Sequence, residues 1–107
     1  MDVVERIRAT LEAHPIVLFM KGTPEYPMCE QSARAVEALA RAGAVFHAVN
    51  VLIDPEVRAV LPRFADQPGF PQLFVQGELF GGSDITVELL ESGELARIAR
   101  DLRGAAA

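Results

Sequence analysis

The run IVLFM at residues 16–20 restricts this chain more than any other feature. Five consecutive apolar residues, set between Pro15 and a Gly22-Thr23-Pro24 turn, have no polar face to turn toward water. They read as a short strand covered on both sides, which belongs at the centre of a sheet with helices above and below it. Upstream, Val4, Ile7 and Leu11 recur at helical spacing until His14-Pro15, which predicts a helix over 3–13 that ends where a residue before proline leaves the α region. Downstream, Ala33, Val36, Leu39, Ala40 and Gly43 give a second stripe, so a helix begins at or beside Cys29 and stops at Gly43.

The remaining segments complete a β-α-β unit and then reverse direction. AVFHAVNV, residues 44–51, reads as a second strand, and DPEVRAVLPRFAD as a short helix with Asp54 as its cap, Pro55 at its first position and Pro62 interrupting it. Pro71–Val75 and Glu78–Phe80 are β-rich runs joined at Gln76-Gly77, a hairpin signal. A helix start at Ser83 or Asp84, a stop at Gly93, and Leu95, Ile98, Ala99 and Leu102 at helical spacing close the pattern. The expected architecture is α/β: a four-stranded mixed sheet, half parallel βαβ unit and half hairpin, flanked by about five helices.

At 107 residues, half of them apolar, the chain is expected to form a single domain over 1–107, with 104–107 as a frayed tail. A net charge of −5 with scattered arginines argues against nucleic-acid partners, which require a basic stripe. The first twenty residues mix acids with bases around one five-residue apolar run, too short for a secretory leader or a membrane span, so a cytoplasmic protein without a membrane partner is expected.

Chemistry concentrates at KGTPEYPMCEQS, which holds the only lysine, Lys21, and the only cysteine, Cys29. A lone cysteine forms no internal disulfide, so any thiol chemistry involves another molecule. At a helix N-terminus sulfur meets unpaired N–H groups and the positive end of the helix dipole, a setting that favours thiolate, and Lys21 could add charge. An inert buried cysteine beside a solvated lysine fits the same position. Ser32 stands where a Cys-x-x-Cys site has its second thiol; serine cannot close a disulfide, so a Cys-x-x-Ser site resolves mixed disulfides with an external thiol or lends one sulfur to a metal centre. His14 and His47 lack partners at ligand spacing and receive no role, and loop packing accounts for Tyr26 and Met28.

FMKGTPEYPMC, DPEVRAVLPRFA and GFPQLFVQGELFGGSDI together resemble the monothiol glutaredoxins of the Cys-Gly-Phe-Ser class, single-domain members of the thioredoxin fold, over nearly the whole chain. The resemblance implies a cis bond at Phe70-Pro71 facing Cys29, with the Phe70 backbone open to an extended peptide, glutathione. Lys21 and Arg58 would hold the tripeptide's glycine carboxylate, and the helix start at Ser83-Asp84 its γ-glutamyl end. It further implies a [2Fe-2S] cluster. Such a cluster takes four thiolates and this chain supplies one, Cys29, so the implied holo form is a homodimer with two glutathiones that serves iron-sulfur client or assembly proteins. A cluster carrier is thus the first expectation, and glutathione-dependent thiol-disulfide exchange at Cys29 without a cluster is the alternative.

Two departures fall inside the site. Glu30-Gln31 replaces the family's Gly-Phe between Cys29 and Ser32, and Gln67-Pro68-Gly69 replaces its Trp-Pro-Thr. Glu30 sets a negative charge beside the sulfur, the lost glycine narrows the loop's conformations, and the lost aromatic at 31 opens the site to water. Glutathione binding is expected to survive these changes better than cluster binding.

Overall fold

The computed structural model describes residues 1–106, with side chains through Arg103; of the tail expected over 104–107, the side chains and the last residue lie outside the described residues. The elements follow in the order α1 (Val3–Ala13), β1 (Ile16–Met20), α2 (Glu30–Arg41), β2 (His47–Asn50), α3 (Pro55–Ala65), β3 (Gln72–Val75), β4 (Glu78–Gly81), α4 (Ser83–Glu91) and α5 (Glu94–Ala106), with a 3₁₀ turn at Val51–Ile53. Every residue of β1 is buried. The strand alternation sends Ile16, Leu18 and Met20 into one core with Ala35, Leu39, Leu95 and Ile98, and Val17 and Phe19 into another with Ile7, Leu11, Val57 and Leu61. Helices α2 and α5 thus cover one face of the sheet and α1 and α3 the other.

The sheet order is β2-β1-β3-β4. β1 runs parallel to β2, with Val17 opposite His47, and antiparallel to β3, with Val17 opposite Phe74. β3 and β4 form the expected hairpin. Its turn residues Gln76 and Gly77 both have positive φ, 50° and 79°, the combination of a type I′ turn whose twist matches that of the strands.

Two expectations change. β2 is half the length of the apolar run, because residues 44–46 follow a left-handed Gly43 (φ 71°) outside the ladder and Val51 already belongs to the 3₁₀ turn. Pro62 does not interrupt α3, which continues to Ala65 and ends on a left-handed Asp66 (φ 52°); burial of Leu61 on the same turn outweighs the missing N–H. His14 and His47 stack face to face, ring centres 3.9 Å apart and planes within 4°, closing the α1–β1 junction over the start of β2. Partial burial, and then the neighbouring His14, hold the His47 imidazole below its ordinary pKa.

Asp54 decides where α3 begins. Its carboxylate accepts the Val57 N–H at 3.3 Å as N-cap and pairs with Arg6 of α1 at 3.0 Å, so one side chain starts α3 and fastens it to α1. The hydrogen bond from Arg6 holds the Asp54 carboxyl below the usual range, against partial burial that works the other way. A depressed carboxyl contributes stability that is complete above its unfolded pKa of about 3.9 and is lost as pH falls through the folded value. Asp54→Ala is expected to lower the unfolding free energy by about 1–2 kcal/mol at pH 7 in urea titrations, and to flatten the decline in stability below about pH 4.

Candidate functional site

Cys29 is the N-cap of α2, in extended backbone geometry (φ −149°, ψ 155°), and its Sγ accepts the Ser32 N–H at 3.3 Å. Sγ and Ser32 Oγ lie 3.1 Å apart, a hydrogen bond donated by the thiol when it is protonated and by the serine hydroxyl when it is not. Ser32 is fully buried and its Oγ also accepts the Lys21 N–H at 3.1 Å. This serine therefore joins the end of β1, the first turn of α2 and the sulfur.

The segment between Lys21 and Cys29 is a small hairpin folded back on itself. Met28 N–H donates to Lys21 O at 2.9 Å, Thr23 and Tyr26 exchange backbone bonds at 3.2 and 3.0 Å, and Gly22 bridges to Pro27. Gly22 has φ 95°, and a Cβ there would stand 2.5 Å from Tyr26 O and 2.7 Å from Met28 N, so only glycine closes this loop. Asn50 Oδ1 accepts both the Gly22 and the Leu52 N–H at 3.0 Å, tying the loop to the exit of β2. Tyr26 and Met28 do not pack as expected: they are 78% and 67% exposed, because the hairpin is closed by backbone bonds and needs no apolar core of its own.

A groove of about 460 Å³ opens at the first turn of α2, two residues past Cys29, lined by Gln31, Gln67, Phe70, Pro71, Ser83 and Asp84 among others. The Phe70-Pro71 bond is cis. Behind it, fully buried Gln72 donates Nε2 to Gln67 O at 2.8 Å and Gly69 O at 3.0 Å, while its Oε1 has no partner among the described residues. An unpaired buried acceptor costs about 1–3 kcal/mol, a penalty the fold carries together with the two bonds. On the other wall, α4 starts from Gly82 with no side-chain cap, so the first-turn N–H groups have no side-chain acceptor. The helix starts at Ser83, one of the two expected positions, and Asp84 forms an exposed ion pair with Arg34 of α2 at 3.0 Å.

The family model described as Glutaredoxin matches residues 16–80, more than half of the chain. Glutaredoxin 4 of Escherichia coli strain K12 is 46% identical over 98 residues, covering 92% of this chain and 85% of that protein. The probable monothiol glutaredoxin GrlA of Legionella pneumophila is 52% identical over 85 residues, covering 79% and 96% respectively. The chain belongs to the monothiol glutaredoxin family. Its fold matches the solution structure of a monomeric truncated mutant of Trypanosoma brucei 1-C-Grx1 with a TM-score of 0.82 at 38% identity, over 94% of this chain and 92% of that one. The thioredoxin fold follows.

In this glutaredoxin the residues singled out in the sequence fall into three places. Cys29, Ser32 and Lys21 form one hydrogen-bonded unit, and Gln31, Phe70, Pro71, Ser83 and Asp84 share the groove. Arg58 stands exposed on α3, and neither it nor Lys21 enters an ion pair among the described residues. Glu30, the first residue of α2, is exposed. Asn50, Gln72 and Arg34 were not anticipated; a glutamine inside an otherwise apolar strand directly after proline was the one visible signal.

Asn50→Ala leaves the Gly22 and Leu52 N–H groups without an acceptor and is expected to lower stability by about 1–3 kcal/mol in urea unfolding, with faster amide exchange at both positions. Asn50→Asp keeps an oxygen in place and is expected to lose less than half as much.

Proposed function

We propose that this glutaredoxin binds glutathione in the groove beside Cys29 and carries a [2Fe-2S] cluster between two copies of the chain, for delivery to iron-sulfur proteins in the cytoplasm. The observation that carries this reading is the single partly exposed thiol at the N-cap of α2, next to a groove walled by Phe70-Pro71 and by the start of α4, which no side chain caps. An extended γ-glutamyl-cysteinyl-glycine chain matches that layout. Its backbone would pair with Phe70 as an added strand, its γ-glutamyl carboxylate would meet the free N–H groups of α4, and its ammonium would meet the Asp84 oxygen that Arg34 leaves unused. Lys21 and Arg58 would hold the glycine carboxylate.

The donor set fits a shared cluster and does not fit one held by a single chain. Cys29 offers one sulfur, and among the described residues no group of three or more His, Cys, Asp or Glu is arranged to hold a metal. Four thiolates would come from Cys29, its counterpart in a second copy and two glutathiones. The bound cluster would supply the iron that these thiolates ligate. The chain's own part is to present sulfur from a fixed helix end and to keep the two glutathiones in register with it.

A second reading has support in Glu30 and Gln31, whose exposed polar side chains leave the thiol open to water and to a protein substrate. Cys29 thiolate attacks the glutathionyl sulfur of a mixed disulfide, forming Cys29–S–SG and releasing the protein thiolate; a second glutathione thiolate then attacks, giving oxidised glutathione and regenerating Cys29. Ser32 cannot take that second role.

Anaerobic reconstitution with iron, sulfide and glutathione is expected to give a coloured species with visible absorbance that sediments as a dimer, and Cys29→Ser to give neither. A colourless monomer from the wild type would remove the cluster. Iron-free deglutathionylation turnover by that same protein would then establish the exchange reaction.

A further inference from the structure

We propose that Gln72 is the positioning residue of the peptide-pairing edge: a buried carboxamide latch that holds the 67–70 segment in the shape the groove requires. The proposal rests on the glutathione reading for its ligand and on the local geometry for its mechanism. Gln72 is completely buried at the first position of β3, and its Nε2 reaches back to two carbonyls of the segment before it, Gln67 O at 2.8 Å and Gly69 O at 3.0 Å. Two carbonyl acceptors fix the orientation of the amide, since the reversed one would set three oxygens against one another. Oε1 is buried and has no partner among the described residues. A side chain serving only to fill the core would leave no such orphan, so the amide is accounted for by what its nitrogen holds.

What it holds is the middle of a segment otherwise anchored only near its ends, by the Gln67 N–H on Pro62 O at 3.0 Å and by Phe70 against the core beneath α1 and α3. Gly69 has φ 74° with nothing within 4 Å of where a Cβ would stand, and Pro68 has no N–H to give. Both Gln67 and Phe70 line the groove. Fixing the carbonyls of Gln67 and Gly69 from behind leaves the front of Phe70 free to pair with a bound peptide, and turns the Gln67 side chain into a stable part of the wall.

A latch of this kind acts on peptide binding and not on the thiol, which hangs from α2 and β1. The test compares wild type with Gln72→Met, which keeps the volume and removes the donor. Glutathione affinity by calorimetry is expected to weaken at least tenfold and amide exchange at Gly69 and Phe70 to quicken at least tenfold. Alkylation of Cys29 by iodoacetamide, a probe that needs no peptide edge, stays within twofold. Unchanged affinity and exchange in a folded Gln72→Met protein would overturn the proposal, as would alkylation that falls in step with affinity. Should wild type bind no glutathione, the ligand reading fails and exchange at Gly69 and Phe70 alone decides the latch. Should the variant fail to fold, the wild type decides it: the Gln72 side-chain amide protons are expected to exchange as slowly as the backbone of β1, and exchange within seconds would show that no latch exists.

Discussion

Because Ile16, Leu18 and Met20 are buried on one face of β1 while Val17 and Phe19 are buried on the other, this strand has helices against both sides and meets solvent only at its ends. Its carboxyl end, Met20, stands opposite Asn50 at the carboxyl end of the parallel β2, and Lys21 follows directly. In open α/β sheets ligands gather outside the carboxyl ends of such strands, where loops are free to diverge. Here the antiparallel β3 begins at the same rim, so its preceding turn, Phe70-Pro71, arrives there as well. Three segments far apart in sequence meet at one edge through a single burial constraint.

The contacts that give this edge its chemical shape are mostly between side chains and backbone. Ser32 joins the Lys21 N–H to the sulfur of Cys29, Asn50 joins the hairpin loop to the end of β2, and Gln72 braces the segment before Pro71. Charged pairs are peripheral by comparison: Arg34–Asp84 and the Arg97 pairs with Glu94 and Asp101 are exposed and screened, and such pairs contribute little to stability. Arg6–Asp54 is the exception, since it coincides with a helix cap.

How far these features were legible depended on their range. Periodicity placed α1 and β1 with their observed ends because burial of Ile16–Met20, Ile7 and Leu11 is an average property of many contacts. It overextended β2, since an apolar run does not say which of its residues find a ladder partner. It misread Pro62, because a helix tolerates one missing bond when the next turn is anchored in the core. The thiol and Ser32 were readable as residue types in a spacing, and the cis-proline segment only through the family resemblance. Asn50 and Gln72 were not, because a single amide accepting from two loops or donating to two carbonyls leaves no periodic trace. Nor did the sequence reveal that Asp84 faces Arg34, fifty residues away.

One oxygen, Asn50 Oδ1, accepts from both Gly22 and Leu52, so the loop that leads to the thiol is fastened to a strand other than the one it grows from. The loop's shape is consequently a property of residues 16–53 together and not of the dozen letters that spell the motif. Grafted alone onto a foreign scaffold, that stretch would bring its cysteine without its contour; the smallest transplantable unit is the complete β-α-β segment with its trailing 3₁₀ turn.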